Sequence, residues 1–340
     1  MIHRARPALL IAALPIAALA LAFALAACGG LSPASRSDSA AETRPETRVQ
    51  ARNQLLVMGW NIRFGTADDG PNSWPNRADR VADVIVDPLG DGTGTPGNPL
   101  FDIVGLQEAL RFQIDELLAA APAYAYAGAG RDDGIDAGEH CGILYRADRF
   151  ELLDSGVFWL SDTPEEPGST SWGNELTRIC TWARLLPAGS EQAFYVFNTH
   201  LDHQSEPSRR EAVELIAFRI ETRDAPEEPV ILMGDFNARP ESAERRYLTG
   251  DIADATGDGT APRSPDMIDV LEVNLDEGEE PLATFNGWRY TPGRPGHSID
   301  TILAAGFTVV AGSVEQALGL SEDLRPPSDH YPIVATLRFD

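Results

Sequence analysis

Lysine is absent from this chain of 340 residues: all 27 of its cationic side chains are arginine. A bias that complete points to genome composition rather than to a functional site. Cations are also outnumbered, since 52 Asp and Glu leave a formal charge of −25. Acidity on this scale repels polyanions at long range and disfavours a dedicated nucleic-acid binder, while suiting a protein that works in high salt. No basic patch offsets it, and the stretch Ser161–Pro167 is acidic where a duplex binder would need cations. Cysteine is nearly absent too. Cys28, Cys141 and Cys180 are the full set, too few for a disulfide framework. There is no internal repeat, no second linker beyond residue 52 and no strained serine elbow, so neither a repeat array nor serine-type nucleophilic catalysis is indicated.

Long apolar runs are confined to the start of the chain. His3, Arg4 and Arg6 precede an Ala/Leu-rich run from Ala8 to Ala27, and Cys28 follows directly. A lone membrane-spanning anchor is one reading of that length. Leu25-Ala-Ala-Cys28 followed by Gly29-Gly30 favours the other, a bacterial lipoprotein signal with lipidation at Cys28. The expected organisation is residues 1–27 as signal peptide, 28–52 as a solvated tether and 53–340 as the folded domain. The expected location is the cell envelope, held by lipid. With Gly29 rather than Asp after the cysteine, the outer membrane is the expected destination where one exists. Cys141 and Cys180 then remain as an even pair in an oxidising compartment, either bridged or both buried as thiols.

The domain is organised around Pro229–Asn237. Val230 to Met233 is an apolar run of buried-strand length, and Gly234 permits a sharp turn that presents Asp235 and Asn237. On an extended backbone these two point the same way. Further strands are expected at Leu55–Trp60, Phe101–Leu106, Tyr124–Gly128, Cys141–Arg146, Phe150–Leu160, Thr177–Leu186, Ala193–Leu201, Ile299–Leu303, Phe307–Ala311 and Ile333–Phe339. One helix is expected to open at Ser73, with Ser as N-cap and Val81, Val84 and Ile85 as its apolar stripe. A second spans about Leu110 to Ala120. A third is read around the capping box Ser208-Arg-Arg-Glu211, burying Val213, Ile216, Ala217 and Ile220. Two β-α-β stretches with strands between them imply two packed sheets with helices outside.

Polar groups that suit a hydrolytic site follow the apolar strands: Asn61, Glu108, His200 with Asp202, Asp235 with Asn237, and Asp329 with His330 before the last strand. Each alone has an ordinary explanation as a turn residue, a helix-terminal acid or a core histidine. Together, at strand ends on one edge of a sandwich, they would surround a single cleft.

Trp60-Asn61-Ile, Leu106-Gln107-Glu108, Asn198-Thr-His-Leu-Asp202, Gly234-Asp-Phe-Asn237, Ile299-Asp300 and Ser328-Asp-His330 stand in the order and approximate spacing of the endonuclease/exonuclease/phosphatase family, which the chain resembles from Leu55 to Asp340. The resemblance implies a four-layer α/β/β/α sandwich of two mixed sheets and divalent-metal phosphoester hydrolysis. It implies Glu108 as the main ligand of Mg²⁺, with Mn²⁺ or Ca²⁺ as alternatives, and Asn61 and Asp329 completing or adjoining that site. Asp235 would activate the attacking water, with Asn237 beside the phosphoryl group. His330, oriented by Asp300, would stabilise phosphoryl oxygens or pass a proton. His200 matches a second catalytic histidine, and Arg178 a phosphate-binding arginine. The expected partners are a phosphoester substrate and a membrane reached through Cys28; no protein partner is inferred. Net charge favours a small phosphoester or lipid headgroup over DNA or RNA. An envelope nuclease and an inactive ligand-binding lipoprotein are the competing readings.

Overall fold

The computed structural model describes residues 53–339 apart from 89–93, 274 and 277. The expected signal peptide and tether, with Cys28, fall in residues 1–52 and lie outside the described residues. Two sheets form the body. The first has the order β11-β12-β1-β2-β4-β3, from Phe307–Val314 (β11), Ile333–Phe339 (β12), Gln54–Asn61 (β1), Ile103–Ala109 (β2), His140–Arg146 (β4) and Tyr124–Ala127 (β3). The second runs β5-β6-β7-β8-β10-β9. Its strands are Phe150–Trp159, Ile179–Pro187, Phe194–His200, Val230–Asp235, Asp300–Ala305 and the short Ile268–Asp269. Each sheet has one parallel pair at its centre, β1 with β2 and β7 with β8, and antiparallel pairs elsewhere.

Side-chain alternation sorts the core into three slabs. Leu55 and Val57 of β1 face inward, against Val196, Ile231, Met233 and Ile302 of the other sheet. Met58 and Trp60, one residue out of phase, pack outward under Val81, Val84 and Ile85 of α1 (Ala78–Val86) and Ile114 and Leu117 of α2 (Arg111–Ala120). On the far side, Phe197, Leu232 and Leu303 lie beneath Val213, Ile216 and Ile220 of α3 (Glu206–Glu221) and Tyr247 of α4 (Ala243–Leu248). This is the expected α/β/β/α sandwich, and the period of two along β1 is what lets one strand serve two slabs.

Two expected helix starts move. Ser73 precedes a 3₁₀ turn, Trp74–Asn76, and makes no side-chain cap; α1 begins only at Ala78. The break lets buried Arg77 turn inward and donate to the carbonyls of Ile62, Arg63, Asn72 and Pro327. In α3 the cap is Ser205, whose Oγ accepts from Ser208 N at 3.2 Å; Ser208 lies inside the first turn, because Pro207 pre-sets the helical φ there. The turn at Asn237 is also not extended. Its φ is +47°, and its N–H bonds Asp235 Oδ1 at 3.0 Å.

Candidate active site

The sheet registers bring the sequence-separated acids and histidines together. Asp235 ends β8 and is paired in register with His200 on one side and Asp300 on the other. Gly234 permits this approach: a Cβ there would stand 2.0 Å from the carbonyl oxygen of Thr199, and its φ is +156°. In the facing sheet Asn61 is paired with Gln107. Glu108 follows, at an irregularity in the β2–β4 pairing. Glu108 adopts φ +59°, a left-handed conformation that costs a non-glycine residue about 1–3 kcal/mol and that clusters at functional sites. The sheets are tied just beneath by Asn198, which donates to the carbonyls of Leu106 and Gly142 and accepts from Gln107 Nε2 at 2.6 Å.

Asn61 Nδ2 lies 3.0 Å from Glu108 Oε1 and 3.0 Å from Asp235 Oδ2, so one amide spans two carboxylates. Its Oδ1 accepts from Arg63 N. His330 Nδ1 donates to Asp300 at 2.9 Å, and Trp60 Nε1 fixes the His330 carbonyl. His330 Nε2 lies 3.7 Å from Asp235 Oδ2, and His200 Nε2 lies 3.5 Å from the same oxygen. Two imidazoles thus flank one carboxylate. Asn237 Nδ2 donates to the Leu201 carbonyl. Arg178 is buried beside His200, 3.5 Å from Asp202 and 3.2 Å from His203 Nδ1.

Burial dominates the electrostatics. It raises Asp235 to a pKa of about 7, with Asp300 adding to the rise and His330 and Asn61 opposing it. For His330 burial works against the charged form, but Asp300 and Asp235 overcome it and hold the ring as imidazolium. His200 lies 3.5 Å from Asp235 but has no hydrogen-bonded carboxylate of its own among the described residues. Burial, reinforced by Arg178 and Arg131, pushes it well below the usual range, so it is neutral. Burial also raises Asp329; His330 opposes the rise and Glu108 adds to it.

The donor set fits a hard cation. Glu108 and Asp329 repel one another; Arg63 draws near both, at 3.8 Å and 4.0 Å, and Arg77 adds its charge from farther off. Oxygen donors in mutual repulsion are what Mg²⁺, Mn²⁺ or Ca²⁺ neutralise. Asn61 would have to present Oδ1 to coordinate; with Nδ2 toward Glu108 it adjoins the site. Among the described residues, Asp235, Asp300 and His330 are a second cluster with ligand atoms within 4.8 Å of one another. Its imidazole is engaged by Asp300, which suits proton handling better than ligation.

Several residues here carry no sequence signal of their own. Arg63 bonds Asp69 at 3.1 Å and is held in place by Gln113, which accepts from Gly65 N and donates to the Arg63 carbonyl. Arg77 clamps the segments that carry Asn61 and Ser328. Arg131 and Glu139 line a cleft with Glu108 and His200. Phe285 is 41 % exposed and packs edge-on against His330, with centroids 5.1 Å apart. Only proximity to a recognised motif, as for Arg63 beside Asn61, could have flagged any of them.

Two stacked mixed sheets with helices outside, and acids and histidines gathered at the strand ends, define the deoxyribonuclease I-like sandwich. The model of the endonuclease/exonuclease/phosphatase family matches residues 58–330, and the chain belongs to that family of phosphoester hydrolases. A family member from Bacteroides vulgatus superposes with TM-score 0.69 at 29% identity, over 84% of this chain and 99% of that one. A mannosyl-6-phosphatase of Bacteroides thetaiotaomicron superposes with TM-score 0.66 at 30% identity, over 84% and 100%. An uncharacterized protein of Acanthamoeba polyphaga mimivirus is 29% identical over 192 residues, 54% of this chain and 67% of the relative.

Proposed function

We propose that the protein is a divalent-metal-dependent hydrolase of small phosphoesters, tethered to the cell envelope through lipid on Cys28. Glu108 would hold the metal, assisted by Asn61 and Asp329. When bound, the metal supplies Lewis-acid neutralisation of charge on the phosphoryl and leaving oxygens. The carboxylate of Asp235 takes a proton from the attacking water as the new O–P bond forms. The imidazolium of His330, neutral His200 and Arg178 receive the phosphoryl oxygens, with Asn237 beside them. As the P–O bond breaks, the leaving oxygen takes a proton from the His330 imidazolium and departs as the alcohol, and the proton held by Asp235 restores the site's balance. The observation that carries this reading is Asp235 itself: a buried carboxylate with a pKa of about 7 between two imidazoles, poised as a general base at neutral pH.

A net charge of −25 supports a small substrate over a polyanion, and so does the mannosyl-6-phosphatase among the structural relatives. The test is one substrate panel: p-nitrophenyl phosphate, bis-(p-nitrophenyl) phosphate, a hexose phosphate, a phospholipid and plasmid DNA, each with and without EDTA. EDTA-sensitive turnover of a small ester, lost in Asp235→Ala, is expected. Turnover that persists unchanged in EDTA overturns the metal assignment. Strong preference for plasmid at low salt, collapsing as salt is added, makes the protein a nuclease instead.

A further inference from the structure

Beside the phosphoryl-handling groups is a second set of polar side chains that hydrolysis as such does not use. The loop between β3 and β4 is closed by its own hydrogen bonds: Gly130 N to the Ile135 carbonyl, Arg131 N to that of Glu139 and Asp132 N to that of Ala137, each 3.0 Å. Trp159 Nε1 pins the Arg131 carbonyl at 2.7 Å. This holds Arg131 and Glu139 side by side, Nη1 to Oε2 at 2.6 Å, with 12% and 17% of their side chains exposed. The pair lines one narrow cleft, about 10 Å³, with Glu108, Arg178 and His200, so a ring could rest only at its mouth with hydroxyls directed in. Those three are the proposed metal ligand and two phosphoryl contacts, so the cleft adjoins the position of the scissile bond.

As a structural pair, Arg131 and Glu139 are incompletely used. A guanidinium has five N–H donors; here one is hydrogen-bonded, to Glu139, and Nε lies 3.9 Å from Asp132. Glu139 Oε1 has no hydrogen-bond partner among the described residues, while burial, opposed by Arg131 and reinforced by Glu108, raises its pKa. A fixed donor beside a fixed acceptor matches two neighbouring hydroxyls, one accepting from Arg131 and the other donating to Glu139. An apolar alcohol would leave the unused N–H groups of Arg131 and Oε1 of Glu139 desolvated without partners, the situation in which enzymes discriminate most strongly.

Building on the phosphoester-hydrolase reading, we propose that Arg131 and Glu139 form the alcohol subsite and select a polyhydroxylated leaving group, making the substrate a sugar phosphate. The test compares mannose 6-phosphate with p-nitrophenyl phosphate in wild type, Glu139→Gln and Arg131→Gln, with Mg²⁺ present and thermal midpoints recorded. The kcat/KM ratio of the sugar ester to the nitrophenyl ester should fall at least ~10-fold in each variant, mainly through KM for the sugar ester. Should either variant fold poorly, free mannose must still inhibit wild-type nitrophenyl phosphate hydrolysis competitively. Parallel loss on both esters, an unchanged ratio, or no inhibition by the sugar overturns the subsite. Absence of EDTA-sensitive hydrolysis of either ester overturns the hydrolase reading and this inference with it.

Discussion

Asp300→Asn isolates the charge that keeps His330 protonated. The substitution is isosteric, and the backbone pairing of β10 with β8 and the Asp300 N–H bond to Thr284 Oγ1 do not involve the carboxylate. In the native site burial is the largest influence on His330 and disfavours the imidazolium; Asp300, 2.9 Å from Nδ1, is the strongest opposing one. Without that charge the His330 pKa falls, with Asp235 and Asp329 left to oppose burial, and the share of imidazolium at neutral pH drops. Loss of one preorganised charged donor to a phosphoryl group costs about 10²–10³ in kcat, or roughly 3–4 kcal/mol. KM should change little, because the donation strengthens in the transition state. The sign of the pH effect follows: a raised histidine is protonated below its folded pKa, so the variant should lose its imidazolium signal at a lower pH than wild type. The assay pairs kcat and KM for p-nitrophenyl phosphate with an NMR titration of the His330 ring. A kcat within about fivefold of wild type, or a His330 ring that still titrates high, would refute the account of the dyad.

Glu108→Asn should lower activity by at least ~10² through loss of the metal-binding charge. Asparagine tolerates the left-handed φ of +59° at this position, so the fold should survive; activity close to wild type in a folded variant would remove Glu108 from the metal site. Gly234→Ala drives a methyl to within 2.0 Å of the Thr199 carbonyl, so soluble yield or the unfolding midpoint should drop sharply, and a normally stable variant would disprove the close approach. Cys141 and Cys180 are both free and buried. Burial pushes Cys141 up to about 12 and Cys180 well above its usual value, so neither should react with a thiol reagent at pH 8 in the folded protein and both should react in denaturant; rapid native labelling would contradict this. Cys28→Ser should move the protein from the membrane fraction to the soluble fraction, and a wild-type pool that is already soluble with an unmodified cysteine would rule out the lipid tether.

What could be read from the chain alone is what depends on neighbours in sequence. Apolar runs ending in Asn61, Glu108, His200 and Asp235 marked the strands and their polar tips. The alternation in Leu55–Trp60 sorted side chains between two core slabs, and Gly234 marked a tight turn. Helix starts were less legible, because capping competes with tertiary demands: Pro207 moved the α3 cap to Ser205, and inward-turned Arg77 delayed the start of α1 to Ala78. The chemistry of the site belongs to the tertiary structure. Asp235 has a pKa of about 7 only because packing removes its water and sets Asp300 beside it. His200 and His330 are the same residue type and opposite in charge, because both face Asp235 but only His330 also bonds Asp300, while Arg178 and Arg131 reinforce burial at His200. Arg131 and Glu139 stand in a loop with no motif, and only the closure of that loop brings them to the cleft with Glu108. Periodicity is local and survives in the one-dimensional string; desolvation and the field of distant charges exist only once the two sheets have closed on each other.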